Sequence, residues 1–183
     1  MAKIACIGSR SLNQEQMQIC DKLGQFIVRS GHELHTGGAV GADQSFAMGG
    51  NLVDPTKVHI HLPWKTYEQE SICPGNVIHV VDDLPMGEKL DFIRQARAAH
   101  PAWERLSQGA QKLMIRNVMI IVPPPDFVPV DLTISWASNR QGGGGTGMGI
   151  RCSINNKVQV VDLNRYAKRE DLYNLCETIR GMK

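Results

Sequence analysis

Lys3-Ile-Ala-Cys-Ile-Gly-Ser-Arg10 decides how this chain is read. Ile4 to Ile7 is apolar without interruption, as expected of a strand buried on both faces of a parallel sheet, and it stops at Gly8-Ser9-Arg10. Asn13 with Gln16 three residues on has the pattern of a capping box. Met17, Cys20, Leu23 and Ile27 then recur at helical spacing up to Gly31, a helix stop. Glu33-Leu-His-Thr36 predicts a second strand, closed by Gly37-Gly-Ala-Val-Gly-Ala-Asp43, with a small-residue helix through Met48. A strand, a helix and a second strand in this order start a parallel α/β sheet.

The pattern continues outward. Lys57–Leu62 predicts a third strand and Asn76–Val81 a fourth, with a long loop over 63–76 between them. Residues 86–99 have helical composition, broken by His100-Pro101. A further helix carries Trp103, Leu106, Ala110 and Leu113 on one face. Asn117-Val-Met-Ile-Ile-Val122 predicts a central strand, stopped by Pro123-Pro-Pro125. Leu132–Trp136 is a further strand, a helix begins inside the glycine run and extends to about Asn155, and Lys157–Val161 is the last strand. Leu172, Leu175, Cys176 and Ile179 mark a closing amphipathic helix. The expected fold is a Rossmann-like three-layer sandwich with a mostly parallel sheet, one domain over residues 1–183.

The 183 residues are 42% hydrophobic and 21% charged, which excludes a disordered tail or a fibrous repeat. No apolar stretch reaches the roughly 20 residues that cross a bilayer, and the start lacks the pattern of a signal peptide. The five cysteines are odd in number, widely spaced and without a C-x-x-C pair, so a disulfide framework is not expected and a reducing cytoplasm is. A net charge of +2 is too mild to argue nucleic-acid binding by itself; the basic excess lies after residue 86 and reads as a solvated helix face.

Three polar or Gly-rich turns follow strands and lead into helices: Gly8–Arg10, Gly37–Asp43 and Gly142–Gly149. In an open parallel sheet these turns fall on the carboxyl edge, where ligands bind. Glycines there let main-chain N–H groups aim at an anion beside a positive helix end, so a nucleotide or nucleotide-derived phosphate is the expected ligand. Neither G-x-G-x-x-G nor a Gly-Lys-Ser/Thr phosphate loop occurs, which excludes a redox dehydrogenase and a phosphate-loop ATPase. His59 and His61 sit two apart on one strand face, a spacing metal ligands use, but no third ligand is visible nearby. His35, His79 and His100 read as ordinary strand-end or turn residues, and neither a metal nor a cofactor is expected. Trp136, near the glycine run, is the expected stacking residue for a base.

Gly8-Ser9-Arg10, Thr36-Gly-Gly-Ala-Val-Gly-Ala-Asp43 and Gly142-Gly-Gly-Gly-Thr-Gly147 together resemble the SLOG superfamily of Rossmann-like proteins. That superfamily includes the core of DNA-processing protein A, the Lonely Guy phosphoribohydrolases and small stand-alone members. His100-Pro-Ala-Trp103, Leu106-Ser107 and Arg116-Asn117 add to the resemblance with the small members. It implies a cytoplasmic, homodimeric accessory protein of bacterial or phage type. It also implies a phosphate held by the backbone amides of Gly38, Gly41 and Gly143–Gly145 with the hydroxyl of Thr146, and further ligand contacts at Gly8, Ser9 and Gly37. Arg10 and Arg151 would add charge, and Asp43 would hold a ribose hydroxyl. Two alternatives come with it: an N-glycosidic hydrolase or transferase acting on nucleoside phosphates, and single-stranded DNA binding. The Lonely Guy pattern places its catalytic glutamate where this chain has Gly149, so no catalytic residue is assigned.

Overall fold

The computed structural model describes residues 1–137, 144–165 and 169–182. Its six strands are β1 (Lys3–Gly8), β2 (Glu33–Thr36), β3 (Val58–Leu62), β4 (Val77–Val80), β5 (Leu132–Trp136) and β6 (Gln159–Asp162). Its six α-helices are α1 (Gln14–Arg29), α2 (Ala42–Asn51), α3 (Met86–Ala99), α4 (Gln108–Ile121), α5 (Gly144–Asn155) and α6 (Arg169–Gly181). All strand pairs are parallel, in the order β4-β3-β2-β1-β5-β6. The expected Rossmann-like three-layer arrangement is therefore present, and the strand order reverses between β1 and β5.

The alternation of side chains along the strands builds two apolar layers. Ile4, Cys6, Leu34, Ile60 and Ile134 face one way, against Cys20, Leu23 and Ile27 of α1, Phe46 of α2 and Leu175 and Ile179 of α6. Ala5 and Ile7 face the other way, against Phe92 of α3, Ile115 and Met119 of α4 and Met148 of α5. Each large side chain buried in these layers contributes about 1.5–3 kcal/mol of transfer free energy. Cys6, Cys20 and Cys152 are buried as small core residues, and burial pushes the thiols of Cys20 and Cys152 up to about 12. Among the described residues no helix is long and apolar enough to cross a membrane.

Local signals set the helix ends. Asn13 accepts from the Gln16 amide at 2.9 Å while the Asn13 amide donates to the Gln16 side chain at 3.0 Å, closing the capping box at the start of α1. Helices α1 and α2 pack with almost no space between them: a Cβ on Gly49 would lie 1.9 Å from the Asp21 carbonyl oxygen, and one on Gly24 2.2 Å from that of Phe46.

One predicted strand is a helix. Residues 117–121 form the last turns of α4, which starts behind Ser107, whose hydroxyl accepts from the Ala110 amide at 3.3 Å. Trp103 sits before it in a 3-10 turn, Trp103–Arg105, and not on the helix face. The run from Ile115 to Ile121 is buried throughout because α4 packs on β2 and β3 and against both α3 and α5. A helix enclosed on all sides has no polar face to display, and its short apolar run looks like a core strand.

Candidate ligand-binding site

The reversal of strand order parts the connections leaving β1 and β5 and leaves a crevice at their carboxyl ends. A cavity of about 390 Å³ occupies it. Three separate units supply its walls: Gly8 to Ser11 after β1, Ala39 and Asp43 from the bend after β2, and Gly144 to Thr146 at the start of α5. Leu113, Met114, Arg116 and Asn117 of α4 complete it.

The first two turns are locked together by main chain. Ser9 donates to the Trp136 carbonyl at 2.8 Å, and Ala42 donates to the Ser9 carbonyl at 3.0 Å. Gly41 has φ +92°, and a Cβ there would lie 2.5 Å from the Ser9 carbonyl oxygen and 2.8 Å from the Arg10 Cα. Only glycine meets both demands, and so the α2 start is seated on the β1 turn.

Under this contact lies a buried ion pair. Arg116 Nη1 is 3.1 Å from Asp43 Oδ2, with both side chains below one-tenth exposed. Asp43 Oδ1 accepts from the Gly8 amide at 3.3 Å. Burial pushes the Asp43 carboxyl up from its ordinary range, against the pull of the Arg116 charge. Arg116 Nε finds no hydrogen-bond partner among the described residues, and the guanidinium lies 5.8 Å from the centre of the Tyr67 ring. Gly37 makes room for it: a Cβ at that position would lie 1.3 Å from Arg116 Nη1. One residue on, Asn117 Nδ2 donates to the Gly145 carbonyl at 3.1 Å and ties the start of α5 to α4.

The loop after β3 contributes a second, outer network. Arg10 donates to the Tyr67 hydroxyl and lies 3.4 Å from Glu68, and Glu68 Oε2 accepts from the Val40 amide at 2.6 Å. A carboxylate of the chain itself thus occupies one main-chain donor of the Gly37–Asp43 bend, the Val40 amide.

Of the residues expected in a site, Gly8, Ser9, Arg10, Asp43, Gly144, Gly145 and Thr146 line this one cavity. Gly37, Gly38 and Gly41 stand behind it and shape the bend; Gly38 packs near Ile60 and Leu62. Gly143 lies outside the described residues. Arg151 is elsewhere, its Nε donating to the Ala99 carbonyl at 2.6 Å, where it serves the end of α3. Trp136 is buried and gives its indole N–H to Asn164 at 2.9 Å, so it is a core residue and not a stacking platform. Gly149 faces Ile7, where a Cβ would lie 2.7 Å from the Ile7 Cδ1, so any side chain at that position of α5 must displace Ile7. Arg116 and Asn117, placed at the head of a strand by the sequence reading, gain their roles only once the strand is seen to be a helix.

The fold is similar to that of DNA processing protein A from Helicobacter pylori. The TM-score is 0.56 over 97% of this chain and 80% of that one, at 14% sequence identity. The solved structure concerns the single-stranded DNA binding mode of the Helicobacter protein. At this identity the likeness to DNA processing protein A is one of architecture: a parallel sheet whose turns gather at one edge. No protein-family model matches the sequence, and no curated protein does.

Proposed function

We propose that the chain is a SLOG-type module that binds a nucleotide or nucleotide-derived ligand in the crevice between β1 and β5. One observation carries this reading: three independent crossover turns, two of them Gly-rich, line a single cavity at the strand-order reversal. The first turn of α5 brings N–H groups that have no acceptor inside the helix, together with the positive end of the helix dipole. Gly144, Gly145 and Thr146 are the residues for a phosphate, with Arg10 reaching from the opposite wall. Leu113 and Met114 offer an apolar surface for a base. Asp43 acts mainly through Arg116, which it holds in place, in preference to reaching a ribose hydroxyl.

The test is a thermal-shift panel of nucleoside mono-, di- and triphosphates, ADP-ribose species and cyclic dinucleotides on the wild type and on Arg10→Ala. A bound nucleotide at a hundred-fold excess over its dissociation constant stabilises the native state by about 2.7 kcal/mol. The effect should shrink in Arg10→Ala, whose side chain is half exposed and whose removal leaves the fold intact. Absence of any shift across the panel overturns the reading.

Single-stranded DNA is the second reading, supported by the architecture shared with DNA processing protein A. It predicts oligonucleotide affinity that falls steeply between low and physiological salt, since phosphate contacts release counterions. Mononucleotide binding with little salt dependence favours the first reading over the second.

A further inference from the structure

Parallel pairing of β2, β3 and β4 gathers the strand histidines on one face of the sheet. His35 lies opposite His59 in register, and His61 opposite His79. Glu33 precedes His35 by two residues, so its side chain emerges on the same face. Glu33 Oε2 is 3.5 Å from His35 Nε2 and 3.9 Å from His59 Nε2, and the three ligand atoms lie within 4.8 Å of one another. Ligands about 2.0–2.1 Å from a tetrahedral zinc ion stand about 3.3–3.4 Å apart. The spacing is therefore already close to that of a metal's first ligand sphere.

The other ring nitrogens are also committed. His35 Nδ1 is 3.1 Å from His61 Nε2, and His59 Nδ1 is 3.1 Å from His79 Nε2. The His35 and His59 rings lie 4.3 Å apart, and those of His61 and His79 4.7 Å, stacked at 17°. In the tautomer that frees Nε2 for a metal, each Nδ1–H donates to a histidine behind it, which is how metal-bound imidazoles are oriented. His35 is 1% exposed, and among the described residues its Nε2 makes no close hydrogen bond, the Glu33 carboxylate standing 3.5 Å away, a gap that an ion between them would close. Lys3, in register with Glu33, turns its ammonium to Asp126 at 2.6 Å and leaves the carboxylate free of a competing pair.

We infer that Glu33, His35 and His59 form a three-ligand site for a divalent transition-metal ion of the zinc type, with His61 and His79 as positioning residues. Two imidazoles and a carboxylate suit zinc and its neighbours in ligand preference. The side chains of His59 and Glu33, 14% and 20% exposed, leave one side open for ion entry and for a water as fourth ligand. Glu33 is the first residue of β2, so the site belongs to the amino edge of the sheet, away from the crevice at the carboxyl edge. It is independent of the nucleotide reading.

The test uses the full, untagged chain stripped with a chelator and then titrated with Zn²⁺ by calorimetry and with Co²⁺ by visible absorption. One ion per chain is expected, with the strong visible bands of four-coordinate Co²⁺. Glu33→Gln, isosteric and at a partly exposed position, should weaken Zn²⁺ binding at least tenfold with an unchanged far-ultraviolet spectrum. His79→Gln should weaken it by about 10–100-fold through ring orientation and shift the Co²⁺ bands. His100→Ala should change nothing. No bound ion in the wild type, or binding of undiminished strength in Glu33→Gln, overturns the assignment.

Discussion

Asp43 and Arg116 stand 73 positions apart in the chain and meet at 3.1 Å, both shielded from solvent, beneath the crevice. Their pairing joins the start of α2 to the middle of α4, the two elements that carry the near and far walls of the cavity. Breaking such a pair from one side leaves a buried charge without compensation, which costs about 3–5 kcal/mol. Asp43→Asn is therefore expected to lower the urea midpoint sharply. The double change Asp43→Asn with Arg116→Met removes the orphaned charge and should recover much of the loss. If the two single changes add without recovery, the pair is not coupled as described.

Gly37→Ala attacks the same guanidinium from the main-chain side. The added methyl falls 1.3 Å from Arg116 Nη1, so the arginine must leave its position over Tyr67. Overpacking of this kind costs about 1–3 kcal/mol. The variant should lose nucleotide stabilisation in the thermal-shift assay by more than its own drop in stability accounts for. Equal loss in the presence and absence of ligand would remove Arg116 from the binding wall.

Ser107→Ala tests the start of α4 behind its cap. The Ser107 hydroxyl serves the amide of Ala110, and loss of such a cap costs about 1 kcal/mol, read from equilibrium unfolding. Were Ser107 inside a helix that began at Trp103, as the sequence alone suggests, alanine there would cost nothing.

The error over that segment has a physical origin. A short apolar run without alternation is compatible with a central strand or with an enclosed helix, and only its neighbours decide. Ser107 three residues before Ala110, and the helical spacing of Leu106, Ala110 and Leu113, were such neighbours, but the proline run after Val122 made a strand end look natural. The Gly-rich turns were legible because a strand followed by glycines and a helix fixes their edge of the sheet. The displacement of Arg151 and Trp136 from the cavity was not legible, since helix phase and strand facing decide it. Nor was the meeting of Glu33, His35 and His59. Their pattern, Glu33-x-His35 and His59-x-His61, is visible, but it becomes a cluster only through the β2–β3 register.

Gly49→Ala and Gly109→Ala should act in opposite directions. At Gly49 the new methyl meets the Asp21 carbonyl oxygen at 1.9 Å, and main chain cannot turn aside as a side chain can. Separation of α1 from α2 should lower the melting temperature by several degrees. At Gly109, in the first turn of α4, nothing among the described residues lies within 4 Å, and alanine there should stabilise by up to about 0.5 kcal/mol, less than in a helix middle. A melting temperature raised by the first or lowered by the second would contradict the described packing.

The carboxylate of Glu68 on the Val40 amide has a consequence for any anion that approaches the Gly37–Asp43 bend. An anion would reach that amide only by exchange, because the Glu68 carboxylate must first let go of both the Val40 N–H and Arg10. A monoanion merely replaces like with like there. A group of higher charge density, such as a phosphate dianion, draws more from the same N–H and from Arg10 once the rival has gone. For an anion at the bend, displacing Glu68 would therefore set a threshold in charge ahead of any selection on shape.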